Sequence, residues 1–185
     1  MTRHPNILAQ QEAVLLIVDV QESFRKFIPD FANLTRNISI LVEAAKILRL
    51  PVIVTEQYPK GLGHTVAELL ACLGEHQVFD KDCFSCCGSE AFMKALNHLE
   101  RRQIIVCGIE AHVCISQTVH DLLAEGFKTH LITDAIASRY AKNKDAAVEK
   151  MTLAGAIPSV VEMALFEMLV NSGTENFKAV QRLVK

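Results

Sequence analysis

An α/β protein built on a parallel sheet is the fold this sequence predicts, and three observations predict it. Short apolar runs such as Val14-Leu-Leu-Ile-Val18 recur between longer segments of helical periodicity. Those runs are apolar at every position rather than at alternate ones, as strands covered on both faces must be. Strand-like and helix-like segments alternate along the whole chain, the pattern of helices packed on both sides of one sheet. The expectation is a three-layer α/β/α architecture with a mainly parallel sheet of about six strands, forming one domain over residues 1–185.

The first strand is expected at Ala13–Asp19. Phe31–Leu50 follows, with Phe31, Leu34, Ile38, Leu41, Val42, Ala45 and Leu48 on one helical face. Pro51–Thr55 is a short β-rich run, Val66–Leu73 reads as a helix and Gln77–Asp80 as a brief strand. Ser89 stands where an N-cap would open a helix over Ser89–Leu99. Gln103–Gly108 is a strand carrying Ile-Ile-Val-Cys, and Val113–Glu125 a helix with Gly126 in the C-cap position. Lys128–Thr133 is the next strand, and Asn143–Ala154 a helix stopped by Gly155. A short strand is expected near Ser159–Val161, with helices over Glu162–Val170 and Glu175–Leu183.

Composition narrows the classes of function. Half of the residues are hydrophobic and 22% are charged, the balance of a globular chain. The 19 Lys and Arg against 21 Asp and Glu leave a net charge of −2, which offers no footprint for bulk nucleic-acid binding. The longest purely apolar run, Ala13–Val18, is too short to span a membrane. The opening Met-Thr-Arg-His-Pro-Asn has no hydrophobic core of a secretory signal. Six irregularly spaced cysteines are too sparse for a disulfide framework, so a reducing, cytoplasmic setting is expected, with mitochondrial association left open.

In open α/β sheets, ligands bind just beyond the carboxyl ends of the strands. The positions to search are therefore Asp19, Thr55–Gln57, Lys81, Gly108–Cys114 and Asp134. Each has a plain alternative: Asp19 as a turn or N-cap residue, Lys81 as a solvated lysine, Cys114 as a small buried hydrophobe. Against this, a cysteine opening a helix has its thiolate stabilised by free N–H groups. An acid, a cation and a potential nucleophile at strand ends make a workable hydrolase site.

At these same positions the sequence resembles a known superfamily. Val18-Asp-Val-Gln-Glu-Ser-Phe24, Lys81 followed by Phe84-Ser85, and Gly108-Ile-Glu-Ala-His-Val-Cys114 look like the three signatures of the isochorismatase-like cysteine hydrolases. The resemblance continues through Asp134 and Ser138-Arg139, and Thr55–Gly63 narrows it to the isochorismatase domain-containing subgroup. It implies a triad of Cys114 as nucleophile, Asp19 as general base and Lys81 as a cation; the strand pattern itself places the lysine at a strand end, outside the core. It also implies a cis peptide at Ile109–Glu110 and an oxyanion hole from the N–H groups of Glu110 and Cys114. The substrate pocket would draw on Gln21, Phe24, Glu56, Gln57, Phe84, Ser85 and His112.

Departures from the pattern refine this. Nicotinamidases in the superfamily carry an Asp-x-His metal cluster after the second strand. Here Thr55-Glu-Gln-Tyr58 stands instead, so no metal and no other cofactor is expected, even with Glu56 and His64 present. Isochorismatases proper generally lack the nucleophilic cysteine, so Cys114 points towards acyl transfer. Glu110 either faces the pocket or ties down its own loop; the sequence leaves both open. Cys83-Phe-Ser-Cys86-Cys87 has no second paired-cysteine motif to complete a zinc set. The expected activity is metal-independent hydrolysis of a small amide or acyl compound through a thioester, by a homo-oligomer. The alternatives are a non-catalytic binding or scaffold protein, and an RNA-directed nuclease role.

Overall fold

The computed structural model describes residues 3–185. Its centre is a six-stranded sheet in the order β3-β2-β1-β4-β5-β6, with every pairing parallel. The strands are β1 (Ala13–Val18), β2 (Val52–Gln57), β3 (Gln77–Lys81), β4 (Gln103–Ile109), β5 (Lys128–Ala137) and β6 (Ile157–Ser159). The helices are α1 (Phe31–Leu48), α2 (Pro59–Leu62), α3 (Ala67–Cys72), α4 (Glu90–His98), α5 (Ser116–Ala124), α6 (Ala141–Leu153), α7 (Val161–Leu169) and α8 (Glu175–Gln181).

The central strands β1 and β4 are buried at every position, which is why their runs are continuously apolar. Side-chain alternation then divides the core in two. Leu15 and Ile17 of β1 pack with Leu34, Ile38 and Leu41 of α1 and with Leu165 of α7. Val14, Leu16 and Val18 pack on the opposite face with Phe92 and Leu96 of α4, Val119 of α5 and Met151 of α6.

This strand order reverses direction between β1 and β4, leaving a crevice at their carboxyl ends. Gly108 allows the two strands to meet there. It pairs with Val18 at φ +122°, and a Cβ on it would lie 2.1 Å from the Val18 carbonyl oxygen. No larger residue fits.

Three features differ from the sequence expectation. β5 continues to Ala137, because its pairing with β4 shifts register between Val106 and Gly108. Asp134 therefore lies inside the strand, where its Oδ1 accepts from the Val161 N–H (2.9 Å) and caps α7. It is not a crevice residue. The chain before α5 is a π-helical turn over Ala111–Ile115, so Cys114 sits in that turn. Finally, the Ile109–Glu110 peptide is trans, since no described residue has a cis bond. The strand-to-helix transition passes through Gly108 and the π turn.

Candidate active site

The crevice between β1 and β4 gathers Asp19, Lys81, Cys114, Thr55 and Gln57. Asp19 follows β1 in a left-handed conformation (φ 51°), which costs an L-residue about 1–2 kcal/mol. Its surroundings hold it there. The Asp19 N–H donates to the Thr55 carbonyl (3.1 Å), and its carbonyl accepts from the Gln21 N–H (2.8 Å). Its carboxylate Oδ1 accepts from Thr55 Oγ1 and its Oδ2 from Lys81 Nζ, each at 2.8 Å.

Lys81 is not outside the core. Its side chain and that of Asp19 are each only 1% exposed. The ammonium also donates to Gln57 Oε1 (2.7 Å) and to the carbonyls of Phe84 (3.1 Å) and Cys83 (3.2 Å). Burial, the largest single influence, opposes its charge, but Asp19 together with Cys86 and Cys114 holds the lysine above its ordinary pKa. A buried pair so fully hydrogen-bonded is stable as a pair and costly to break.

Cys114 is buried, with Sγ 4.0 Å from Gln57 Oε1. Burial is the main force pushing this thiol far above its ordinary pKa; the Asp19 carboxylate adds to it and Lys81 opposes it. The helix-terminus argument, which expects an activated thiolate, is outweighed by desolvation. At rest Cys114 carries its proton, close to the Asp19 carboxylate.

Strand alternation decides the fate of the residues on β2. Thr55 and Gln57 share a face and reach the crevice. Glu56 points the other way, where Oε1 accepts from the Thr65 N–H and Oγ1 (both 2.7 Å) and Oε2 meets His64 Nδ1 at 2.8 Å. Burial would raise this carboxyl's pKa, but the bonds from Thr65 and His64 outweigh it and hold it below its usual range. Glu56 is part of the frame. So is Gln21, whose Nε2 donates to the carbonyls of Gln57 (2.9 Å) and Gly63 (2.6 Å) while Oε1 accepts from the Gln57 N–H.

The remaining expected pocket residues divide similarly. Ser85 Oγ donates to Asp121 Oδ2 (2.5 Å) and accepts from the Cys87 N–H, capping the turn over Cys86–Gly88. Phe24 packs, partly buried, against the α1 side of the core. Phe84 is half exposed, and its carbonyl faces Lys81. His112 Nδ1 lies 3.0 Å from Ser138 Oγ. Glu110 ties down its loop, Oε1 accepting from both the N–H and Nε of Arg139 at 3.0 Å. Thr55 is the residue that motifs alone undervalue. The available signal is register: a strand pairing Val18 with Thr55 puts that hydroxyl beside the next residue of β1.

A cleft of about 490 Å³ opens beside Lys81, lined by Tyr58, Lys60, His64 and Asp80. A second cavity, of about 470 Å³, lies near the amino ends of β2 and β3 and is remote from the crevice. Among the described residues, no three His, Cys, Asp or Glu side chains gather as a metal site, and no helix is long and apolar enough to cross a membrane.

A family model described as the isochorismatase domain matches residues 13–163. The chain belongs to the isochorismatase family. It is 38% identical to isochorismatase domain-containing protein 2 of Danio rerio over 179 residues, covering 96% of this chain and 89% of the relative. Among solved structures it resembles one titled MAR1 ribonuclease from Caenorhabditis elegans, at 39% identity and TM-score 0.91, covering 96% of this chain and 91% of that one. It also resembles YcaC from Pseudomonas aeruginosa, determined with hexane-2,5-diol and covalent acrylamide. That match has 26% identity and TM-score 0.89, and covers 98% of this chain and 93% of that one. The six-stranded parallel sheet is the isochorismatase-like fold, and family membership supports a hydrolase.

Proposed function

We propose that this isochorismatase-family protein is a cysteine hydrolase of small amides or related acyl compounds, working without a metal. The observation that carries the reading is the buried Asp19–Lys81 pair beside the protonated Cys114 thiol, at the point where the strand order reverses. Lys81 holds the carboxylate in place through Nζ to Oδ2. As Cys114 Sγ attacks the substrate carbonyl, Asp19 takes the thiol proton and then gives it to the departing amine, leaving a thioester. Water, deprotonated by Asp19, releases the acid and restores the thiol. The negative charge on the carbonyl oxygen is met by N–H groups of the Ala111–Ile115 turn, that of Cys114 first among them. The resemblance implies the Glu110 N–H as the other donor, and the proposal keeps that assignment.

The covalent acrylamide in the P. aeruginosa relative suits this reading, because acrylamide alkylates nucleophiles. A reducing, cytoplasmic compartment completes the proposal, with six free cysteines as its basis, together with the homo-oligomer that the family resemblance implies.

The test is hydrolysis of a panel of small amides and esters by the wild-type protein and by Cys114→Ala, before and after exhaustive chelation. Turnover should survive chelation and vanish in the variant. Turnover unaffected by Cys114→Ala would overturn the reading, and no turnover of any substrate would favour a binding protein. The name of the C. elegans relative makes RNA a necessary further substrate. Cleavage that survives stringent purification and is lost in Cys114→Ala would establish the nuclease alternative, which the net charge of −2 supports poorly.

A further inference from the structure

Behind the Asp19 carboxylate the core contains a hydrogen-bonded chain that the triad chemistry does not use. Thr55 is fully buried, and its single hydroxyl proton goes to Asp19 Oδ1 at 2.8 Å. The lone pair of that hydroxyl accepts from the thiol of Cys86, with Sγ to Oγ1 at 3.6 Å. Cys86 is fully buried too, and its N–H is fixed by Thr118 Oγ1 of α5 at 2.9 Å. Burial first, and the Asp19 charge second, push its own pKa up to about 11, so at neutral pH this thiol remains a donor.

We propose that Thr55 is a positioning residue for the proposed base, oriented by the Cys86 S–H, and that this chain dedicates Asp19 Oδ1 to the frame and leaves Oδ2 for proton transfer. The inference rests on the cysteine-hydrolase reading of the same site. Its physical content is a division of labour between two oxygens. A carboxylate free to rotate about its terminal torsion presents either oxygen to the thiol. Here Oδ1 is occupied by a hydroxyl that has no other proton to give and whose rotation is fixed by Cys86. Oδ2 accepts from Lys81 Nζ, and in this proposal it is the oxygen that takes the thiol proton. The hydroxyl also stabilises the ionised carboxylate, since a hydrogen bond to the charged form favours that form. The charged and titratable groups that bear on Asp19 are Lys81 at the end of β3, Cys86 in the turn after it, and Cys114 in the turn after β4.

Acrylamide provides a probe that needs no knowledge of the substrate. Its rate of addition to Cys114, followed by intact-protein mass and peptide mapping as a function of pH, reports proton removal from that thiol. Thr55→Val keeps the shape and removes the hydroxyl. It should slow labelling by roughly tenfold to a hundredfold at neutral pH, the scale of a lost hydrogen bond to a charged group. It should also move the acid limb of the profile to higher pH. Thr55→Ser should restore both the rate and the limb. If Val crowds the core, Thr55→Ala must show the same limb shift, and Cys86→Ala a smaller one in the same direction.

A Thr55→Val protein with lowered thermal stability but a wild-type pH profile would reduce Thr55 to a structural residue and overturn the proposal. Amide hydrolysis by Cys114→Ala, measured alongside, separates the two levels. If Cys114→Ala remains active, the cysteine reading itself fails. If it is inactive while Thr55→Val labels normally, only the positioning role falls.

Discussion

His130 offers the most quantitative test of how this fold is held together. It lies on β5, paired with Ile105 of β4 and Ile157 of β6, and is fully buried. Neither ring nitrogen has a hydrogen-bond partner. Burial, helped by the nearby Lys128 charge, pushes its pKa from 6.5 down to about 4. The native state therefore resists a proton that the unfolded chain accepts. Stability is fully present above pH 6.5 and is lost as the pH falls through that value towards 4. At about 1.4 kcal/mol per pH unit this group alone accounts for about 3 kcal/mol across the window, a large share of a typical domain's stability. His64 works with the opposite sign. Its bond to Glu56 raises its pKa, so its contribution is present at low pH and lost as the pH rises, but it is exposed and common to any His130 variant. The perturbation is His130→Leu, which replaces the ring with an apolar side chain. Urea unfolding of both proteins between pH 7 and 4.5 should show the wild type losing stability steeply on acidification and the variant losing much less. At pH 7 the variant should be no less stable, because two unsatisfied nitrogens have been removed from the core. Parallel profiles would show that His130 is hydrated or paired in solution, and the reasoning would be refuted.

Lys81→Met should abolish turnover as thoroughly as Cys114→Ala, and the double variant should be no worse than either, because the groups act as a unit; kinetics of the three proteins check this. Since Lys81 is buried against Asp19, the same substitution should also lower stability by about 3–5 kcal/mol, measurable by denaturant unfolding. Gly108→Ala should abolish soluble expression or lower the melting temperature sharply, because its methyl group would overlap the Val18 carbonyl. Glu56→Ala should leave the Thr65 N–H and hydroxyl unsatisfied and cost about 1–3 kcal/mol of stability. It should barely change kcat/KM; a large kinetic loss with unchanged stability would place Glu56 in the pocket after all.

Much of the fold is legible in the amino-acid sequence. Runs such as Val14–Val18 and Ile104–Val106 are apolar throughout because both sheet faces are covered, and that feature needs no knowledge of partners. The N-cap at Ser89, where Oγ accepts from the Phe92 N–H, and the apolar face of α1 are likewise local matters. Motif spacing places Asp19, Lys81 and Cys114 at three strand ends, and the order of the strands carries them to one crevice.

What lies beyond the sequence depends on which segments come together across the sheet. Alternation along β2 is visible, but which of its two faces meets Asp19 is set by register with β1 and β3, strands far from it along the chain. That register sends Thr55 and Gln57 to the crevice and Glu56 to Thr65 and His64. Asp134 becomes a helix cap rather than a strand end because a shift between β4 and β5 lengthens the strand around it. Glu110 meets Arg139, and so becomes a tie for its own turn. The protonation of Cys114 is the clearest case. A helix start argues locally for a thiolate, but desolvation is summed over every element that covers the site, and that sum exists only in the folded chain. The sequence by itself determined the elements and the kinds of side chain available; tertiary structure decided what each polar group meets, and therefore its charge.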